Sequence, residues 1–281
     1  MPRKLFCEIS PLTYRISTAK GITVRRLRDA FSGQRFAAEK VDKPLPAVVY
    51  THQSLIRRKL GEVDAALQEN KAVNLGIAAP KVSGILIRPG KTFSFWRLVG
   101  SCTPAKGYRE GLTIASGAVG SGVGGGMCQF TNLLHWLVLH SPLTITEHHH
   151  HNGFDLFPDF GRQIPFGTGT SIFYNYKDYR FRNDTDHTFA IFVEVRGDYL
   201  SGSLSADRPL DYAYHVFEEE AWFERRQDGL HRHNKVLRRC VDKKSGNRIF
   251  TELLLENDAK VLYDEKYIEP SRIKEAQTAH L

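Results

Sequence analysis

No stretch of this sequence has the ~20 consecutive apolar residues that a membrane-spanning helix needs, and the N-terminus lacks the long apolar core of a secretory signal. No transmembrane segment is therefore expected, and the expected compartment is the cytoplasm, with peripheral membrane contact left open. Cysteine is scarce. Cys7, Cys102, Cys128 and Cys240 lie far apart and form no CxxC pair, which argues against a zinc knuckle and against a disulfide scaffold. Isolated cysteines in a reducing compartment are either buried or reactive. There is no internal repeat, and no low-complexity segment apart from four consecutive histidines, His148 to His151.

What is present suffices for a folded protein: 281 residues, 41% of them hydrophobic, can bury a substantial core in one large domain or two small ones. Lys and Arg total 39 against 31 Asp and Glu, giving a formal charge of +8 and a pI near 9.3. Such a balance suits polyanionic neighbours, such as cell-wall polymer, membrane surface or nucleic acid, and equally a solvated basic face. Met1 to Arg35 carries eight Lys or Arg interleaved with single hydrophobics.

Apolar residues at helical spacing predict helices over Ile22–Ala38 and Gln53–Lys81, separated by Pro44 and Pro46. From Gly84 the period changes. Ile85 to Ile87 and Thr92 to Trp96 read as strands around the Pro89-Gly90 turn. Phe93, Phe95 and Trp96 suit a core better than a sugar-stacking platform. Leu133, Leu134, Leu137 and Val138 form the apolar stripe of a buried helix over Gln129–Leu139, starting at or just before Cys128 and closed by Pro142. Leu143–His151 and Ser171–Arg182 read as strands, and Thr188–Arg196 with Tyr199–Ala206 as a hairpin. Tyr212–Arg225, His233–Asp242 and Arg248–Glu256 read as a three-stranded tail.

The chemistry concentrates where Gly120 to Gly126 run into Met127, Cys128 and Gln129. Glycine lets the backbone approach a ligand closely, and its N–H groups join the unpaired donors of a helix N-terminus to hold an oxyanion. Candidate donors are Gly124, Gly125, Gly126, Met127 and Gln129. A thiol at a helix start feels the positive end of the macrodipole, which favours thiolate. Cys128 thus has the setting of an acyl-transfer nucleophile, and its base would come from His148 to His151. On a strand, His149 and His151 share one face and His148 and His150 the other, so only one pair can look at Cys128. The bland alternatives are a tight loop and a small buried thiol. A nucleotide loop is weaker, because no GK[ST] follows the glycines. A zinc site of Cys128 with His149 or His151 is conceivable, although adjacent histidines lack the usual ligand spacing.

The segments Gln68–Lys71 (QENK), Ile85–Val99 (ILIRPGKTFSFWRLV), Gly124–Asn132 (GGGMCQFTN), His140–Ile145 (HSPLTI) and Arg182–Asp186 (RNDTD), in that order, resemble the VanW family over roughly residues 65–210. The resemblance implies a link to glycopeptide resistance or peptidoglycan metabolism, and L,D-transpeptidation through the cysteine of GGGxCQ, here Cys128. It also implies a histidine four residues beyond an acidic or amide position, which maps onto His151 with Glu147 at the start. His151 is therefore the first choice as base and His149 the second. Two features depart from the family pattern. Gly167-Thr168-Gly169-Thr170 stands where a GxDA pattern would supply a carboxylate, and no export signal accompanies a wall-directed chemistry.

The expected fold is α+β: a helical N-terminal region (1–64), a VanW-like core (65–208) with a twisted antiparallel sheet on the helix that starts at Cys128, and a β-rich C-terminal extension (209–281). The expected function is a cysteine acyltransferase or peptidase on peptidoglycan stem peptides. A non-catalytic accessory protein binding an anionic cell-wall precursor is the alternative. No cofactor, metal or nucleic-acid partner is called for.

Overall fold

The computed structural model describes residues 5–57, 65–115, 118–150, 153–174 and 176–275. In chain order it contains α1 (Pro11–Phe31), β1 (Arg35–Phe36), β2 (Ala47–Leu55), α2 (Ala65–Val82), β3 (Ile85–Ile87), β4 (Lys91–Ser94) and the one-turn α3 (Phe95–Val99). The hairpin β5 (Glu110–Ala115) and β6 (Ala118–Val123) leads into α4 (Met127–Leu139), followed by β7 (Thr144–Glu147), β8 (Phe154–Asp155) and β9 (Arg180–Arg182). A second hairpin, β10 (Phe189–Arg196) and β11 (Tyr199–Ala206), precedes the long strands β12 (Tyr212–Arg226), β13 (Gly229–Asp242) and β14 (Arg248–Val261), and β15 (Ile273–Glu275) follows. The fold is α+β, with a helical N-terminal part and a β-rich C-terminal part.

Instead of one sheet there are three and a separate hairpin. β2-β11-β10-β3 is antiparallel throughout, whereas β1-β4-β9-β7 has a parallel pair at β1 and β15-β12-β13-β14-β8 has parallel pairs at both edges. α4 lies on the first sheet, with Phe130, Leu133, Leu134, Leu137 and Val138 almost fully buried. Each such side chain contributes about 1.5–3 kcal/mol of burial. Gly202 of β11 sits directly beneath: a Cβ there would lie 2.9 Å from Leu133 and 3.1 Å from Leu137. Phe93, Phe95 and Trp96 belong to this core. A separate small cluster, Phe223, Leu230 and Ile268, lies in the C-terminal part.

Several predicted elements moved, for physical reasons. The first helix starts at Pro11 rather than Ile22, because Ser10 caps it by accepting the Thr13 N–H, and it ends before Gly33 in the left-handed region. Residues 47–55, in part assigned to the second helix, pair with β11 as a strand, which suits Val48, Val49, Tyr50 and Thr51. The strand predicted through Trp96 stops at Ser94, because the Asp178 carboxylate accepts the Trp96 N–H and caps α3 from 82 residues away. In the predicted strand 171–182 only β9 forms a ladder, and the strand predicted to His151 ends at Glu147. No helix among the described residues is long and apolar enough to cross a membrane.

One ionic knot joins α1 to the sheets. Arg180, 4% exposed, donates through both Nη atoms to Asp29 of α1 at 2.7 and 2.8 Å and through Nε to Asp178 at 2.7 Å. Asp178 also accepts from Ser94 Oγ and the Tyr179 N–H. Removing one partner of a buried pair leaves the other charge without compensation, at a cost of about 3–5 kcal/mol. Arg180→Met should therefore lower the unfolding free energy by about that amount in urea denaturation; a change below about 1 kcal/mol would mean the two carboxylates find other partners.

Candidate functional site

The glycines before α4 serve close packing. Gly124 and Gly126 have φ of +82° and +107°, where L side chains are strained. A Cβ on Gly125 would lie 2.3 Å from the Gly111 carbonyl carbon, one on Gly124 2.4 Å from Cys102 Cβ, and one on Gly126 2.6 Å from Lys71 Cγ. Asn74 of α2, fully buried, clamps the loop: its Nδ2 donates to the Gly125 and Arg109 carbonyls, both at 2.9 Å, and its Oδ1 accepts the Arg109 N–H at 2.8 Å.

This packing trims the expected oxyanion donors. The Gly124 N–H is spent on the Arg109 carbonyl and the Gly125 N–H on Gly122, so neither faces a ligand. The N–H groups of Gly126, Met127, Cys128 and Gln129 make no hydrogen bond among the described residues, as the first turn of a helix leaves them. The side chains of two of these residues are committed elsewhere. Met127 is buried in the core, and Gln129 Nε2 donates to Ser54 Oγ and the Leu55 carbonyl, pinning the helix start onto β2.

Cys128, half-buried, begins a helix face that continues through Thr131, Asn132 and His135. The strip 167–172 covers this face. Asn132 Oδ1 accepts from the Thr170 N–H at 2.6 Å and its hydroxyl at 2.8 Å, and the Thr131 and Thr170 hydroxyls are bonded to each other. The next two residues look in different directions: the Ser171 N–H donates to the His149 carbonyl at 2.6 Å, while the Ile172 N–H points at the Cys128 sulfur. A two-residue stretch thus joins the histidine run to the thiol.

The three described histidines turn to different partners, although the strand itself ends at Glu147. His148 and His150 pack together with ring centroids 3.9 Å apart, and His148 stacks on His135 of α4 at 4.1 Å. Their ring N–H groups meet the Gly169 and Gly167 carbonyls, both at 3.2 Å. Burial, then the neighbouring imidazole, pushes His148 down to about 3, and burial lowers His135 and His150 too, so all three are neutral at pH 7. His149 turns the other way, with Nε2 at 3.0 Å from Glu147 Oε1. Burial opposes ionisation of Glu147, yet Arg25, the Asp178 N–H and His149 together hold its carboxyl below the usual range. Glu147 is thus an ionised carboxylate bonded to the His149 ring. His151 lies outside the described residues.

Two expectations about Cys128 meet this geometry. Burial pushes the thiol up from its ordinary value, against the pull of the Ile172 N–H, so the group is a neutral thiol at pH 7. Among the described residues no hydrogen bond joins its sulfur to an imidazole. Nor do three or more His, Cys, Asp or Glu come together there to hold a metal ion, which leaves a Cys128–His149 zinc site without further ligands among them.

A family model described as "VanW like protein" matches residues 70–205. The chain is 35% identical over 233 residues, 83% of its length and 84% of the relative's, to the vancomycin B-type resistance protein VanW of Enterococcus faecalis. The chain belongs to the VanW family. It is also 28% identical over 164 residues, 56% of its own length and 49% of the relative's, to the uncharacterized protein YoaR of Bacillus subtilis. No solved structure matches.

In this VanW-family chain the motif Gly124–Asn132 is a packed turn followed by a helix start. Its neighbours Thr131, Asn132 and His135 were readable from the i, i+3, i+4, i+7 spacing after Cys128. Thr170, Ile172 and Cys102, brought in from distant segments, carried no local signal. The raised thiol gives a direct expectation. Alkylation of Cys128 in the folded protein should titrate with an apparent pKa above the free-thiol value of about 8.5; a midpoint in the neutral range would show the helix terminus winning over burial.

Proposed function

We propose that this chain is a cysteine-dependent acyltransferase of the L,D-transpeptidase type acting on peptidoglycan stem peptides, in the setting of glycopeptide resistance that the name of its Enterococcus relative carries. The observation that supports it is the start of α4, where the N–H groups of Met127, Cys128 and Gln129 make no hydrogen bond among the described residues beside the Cys128 thiol. Because the thiol rests neutral, the reaction needs a base at the moment of attack, as in serine and cysteine hydrolases, rather than a preformed thiolate.

In this reading His151, the base that the family pattern implies, accepts the Cys128 proton as sulfur attacks the stem-peptide carbonyl. The oxyanion forms against the first-turn N–H groups of Met127, Cys128 and Gln129. The C–N bond then breaks, the leaving amine takes the proton from the imidazolium, and a thioester remains. An acceptor amine attacks the thioester, its proton passes through the imidazole to sulfur, and the new amide leaves. His149, whose ring is held by Glu147, is the second choice as base.

A second reading is favoured by the neutral thiol and the absence of an imidazole bonded to it among the described residues: an accessory protein whose helix start binds an anionic wall precursor without turnover. Intact-mass analysis after incubation with a tetrapeptide stem separates the two. The acyltransferase gives an adduct that Cys128→Ala removes, and His151→Ala slows its formation at least tenfold. An adduct that survives Cys128→Ala sinks the proposal; stem-peptide binding that survives it with no adduct in the parent protein establishes the accessory reading.

A further inference from the structure

The helix α1 is mounted the wrong way round for a soluble protein. Taking 100° per residue, Thr18, Gly21, Ile22, Arg25 and Asp29 form the stripe that faces the rest of the protein. Its anchors are polar: Arg25 donates to Glu147 and to the Tyr176 carbonyl, and Asp29 accepts from Arg180. The opposite stripe is Leu12, Ile16, Val24, Leu27 and Phe31, exposed by 66, 49, 47, 54 and 86%. Leu5, Phe6 and Ile9 extend it ahead of the helix, exposed by 63, 54 and 61%. A globular helix buries its apolar stripe; this one spends its polar stripe on the fold and presents the apolar one outward.

The charges around that stripe are of one sign. Arg15 and Arg26 lie along one border, Arg28 along the other, and Lys20 within it, all exposed and in no ion pair among the described residues. Between residues 5 and 31 the acids are Glu8 and Asp29, and Asp29 is held by Arg180. A second copy of the chain docking stripe to stripe about a twofold axis would bring like charges together. A bilayer surface with anionic headgroups meets both demands, accepting the apolar side chains between its acyl chains while phosphates face the arginines.

We propose that α1 is an interfacial helix by which this protein lies on anionic membrane surfaces. The inference rests on α1 alone and is independent of the chemistry at Cys128. The test is flotation of the full chain with vesicles of phosphatidylcholine, or of phosphatidylcholine carrying phosphatidylglycerol as a third of the lipid, at low and high salt. Binding should require phosphatidylglycerol and weaken with salt. Leu12→Glu/Leu27→Glu/Phe31→Glu, and separately Arg15→Gln/Lys20→Gln/Arg26→Gln/Arg28→Gln, should each cut it at least tenfold. All seven positions are exposed, and unchanged circular dichroism checks that the variants fold. No binding to the phosphatidylglycerol vesicles, or equal binding by the triple variant, overturns the proposal. So does a dimer in solution that the triple variant dissociates, with no vesicle binding, since that assigns the stripe to a second copy.

Discussion

The buried guanidinium of Arg180 is the constraint on which the N-terminal half depends. It neutralises Asp29 from α1 and Asp178 from the segment before β9, and its Nε lies 3.6 Å from Glu147 at the end of β7. Three carboxylates from distant parts of the chain thus converge on one cation, with Arg25 adding a second at Glu147. A buried charge cluster is a poor source of net stability, because desolvation consumes most of the Coulomb energy. What it provides is specificity. Few other arrangements satisfy the same groups, so the position of α1, the cap of α3 and the end of the histidine strand are decided together.

That convergence ties α1 to the candidate site. Arg25 lies on the inward stripe of α1 and bonds both oxygens of Glu147, one of which also meets the His149 ring. Whatever displaces α1 would loosen this carboxylate first and the imidazole next. The path is short: one side chain on the helix, one carboxylate, one ring. It is a contiguous set of hydrogen bonds, and so a physical route by which the surface helix and the histidine strand can influence one another.

Much of the fold was legible because local signals agreed with the outcome. The β10–β11 hairpin, the three long C-terminal strands and the buried helix after Cys128 all show clear periodicity and end in strong turn residues. The failures share one cause: a distant partner decided the local structure. Asp178 stops β4 by capping α3. β11 recruits residues 47–55 as a strand ahead of the second helix, and α1 extends back to a Ser10 cap although its apolar pattern faces solvent. At the site, the order glycine loop, cysteine, helix was readable. The packing purpose of the glycines was not, since Gly111, Cys102 and Lys71, which crowd them, come from elsewhere in the chain.

The chemistry of Cys128 turns on a competition between two effects. A helix N-terminus stabilises a nearby thiolate by a modest electrostatic term that falls off within the first turn. Removing the sulfur from water penalises the same thiolate, and here burial raises the thiol above its ordinary value. A site built to keep a thiolate ready would place a cation beside it, but the groups bonded to Cys128 are the Thr131 and Thr170 hydroxyls, which donate to its carbonyl, and the Ile172 amide, whose pull on the thiol is weaker than burial. None of these three carries a charge. Substrate binding would exclude further water from the helix start and raise the penalty again. The proposed chemistry would then need a base at the moment of attack. The described imidazoles meet other partners, His148 and His150 the Gly169 and Gly167 carbonyls and His149 the Glu147 carboxylate, which leaves His151 to that role in the proposed reaction.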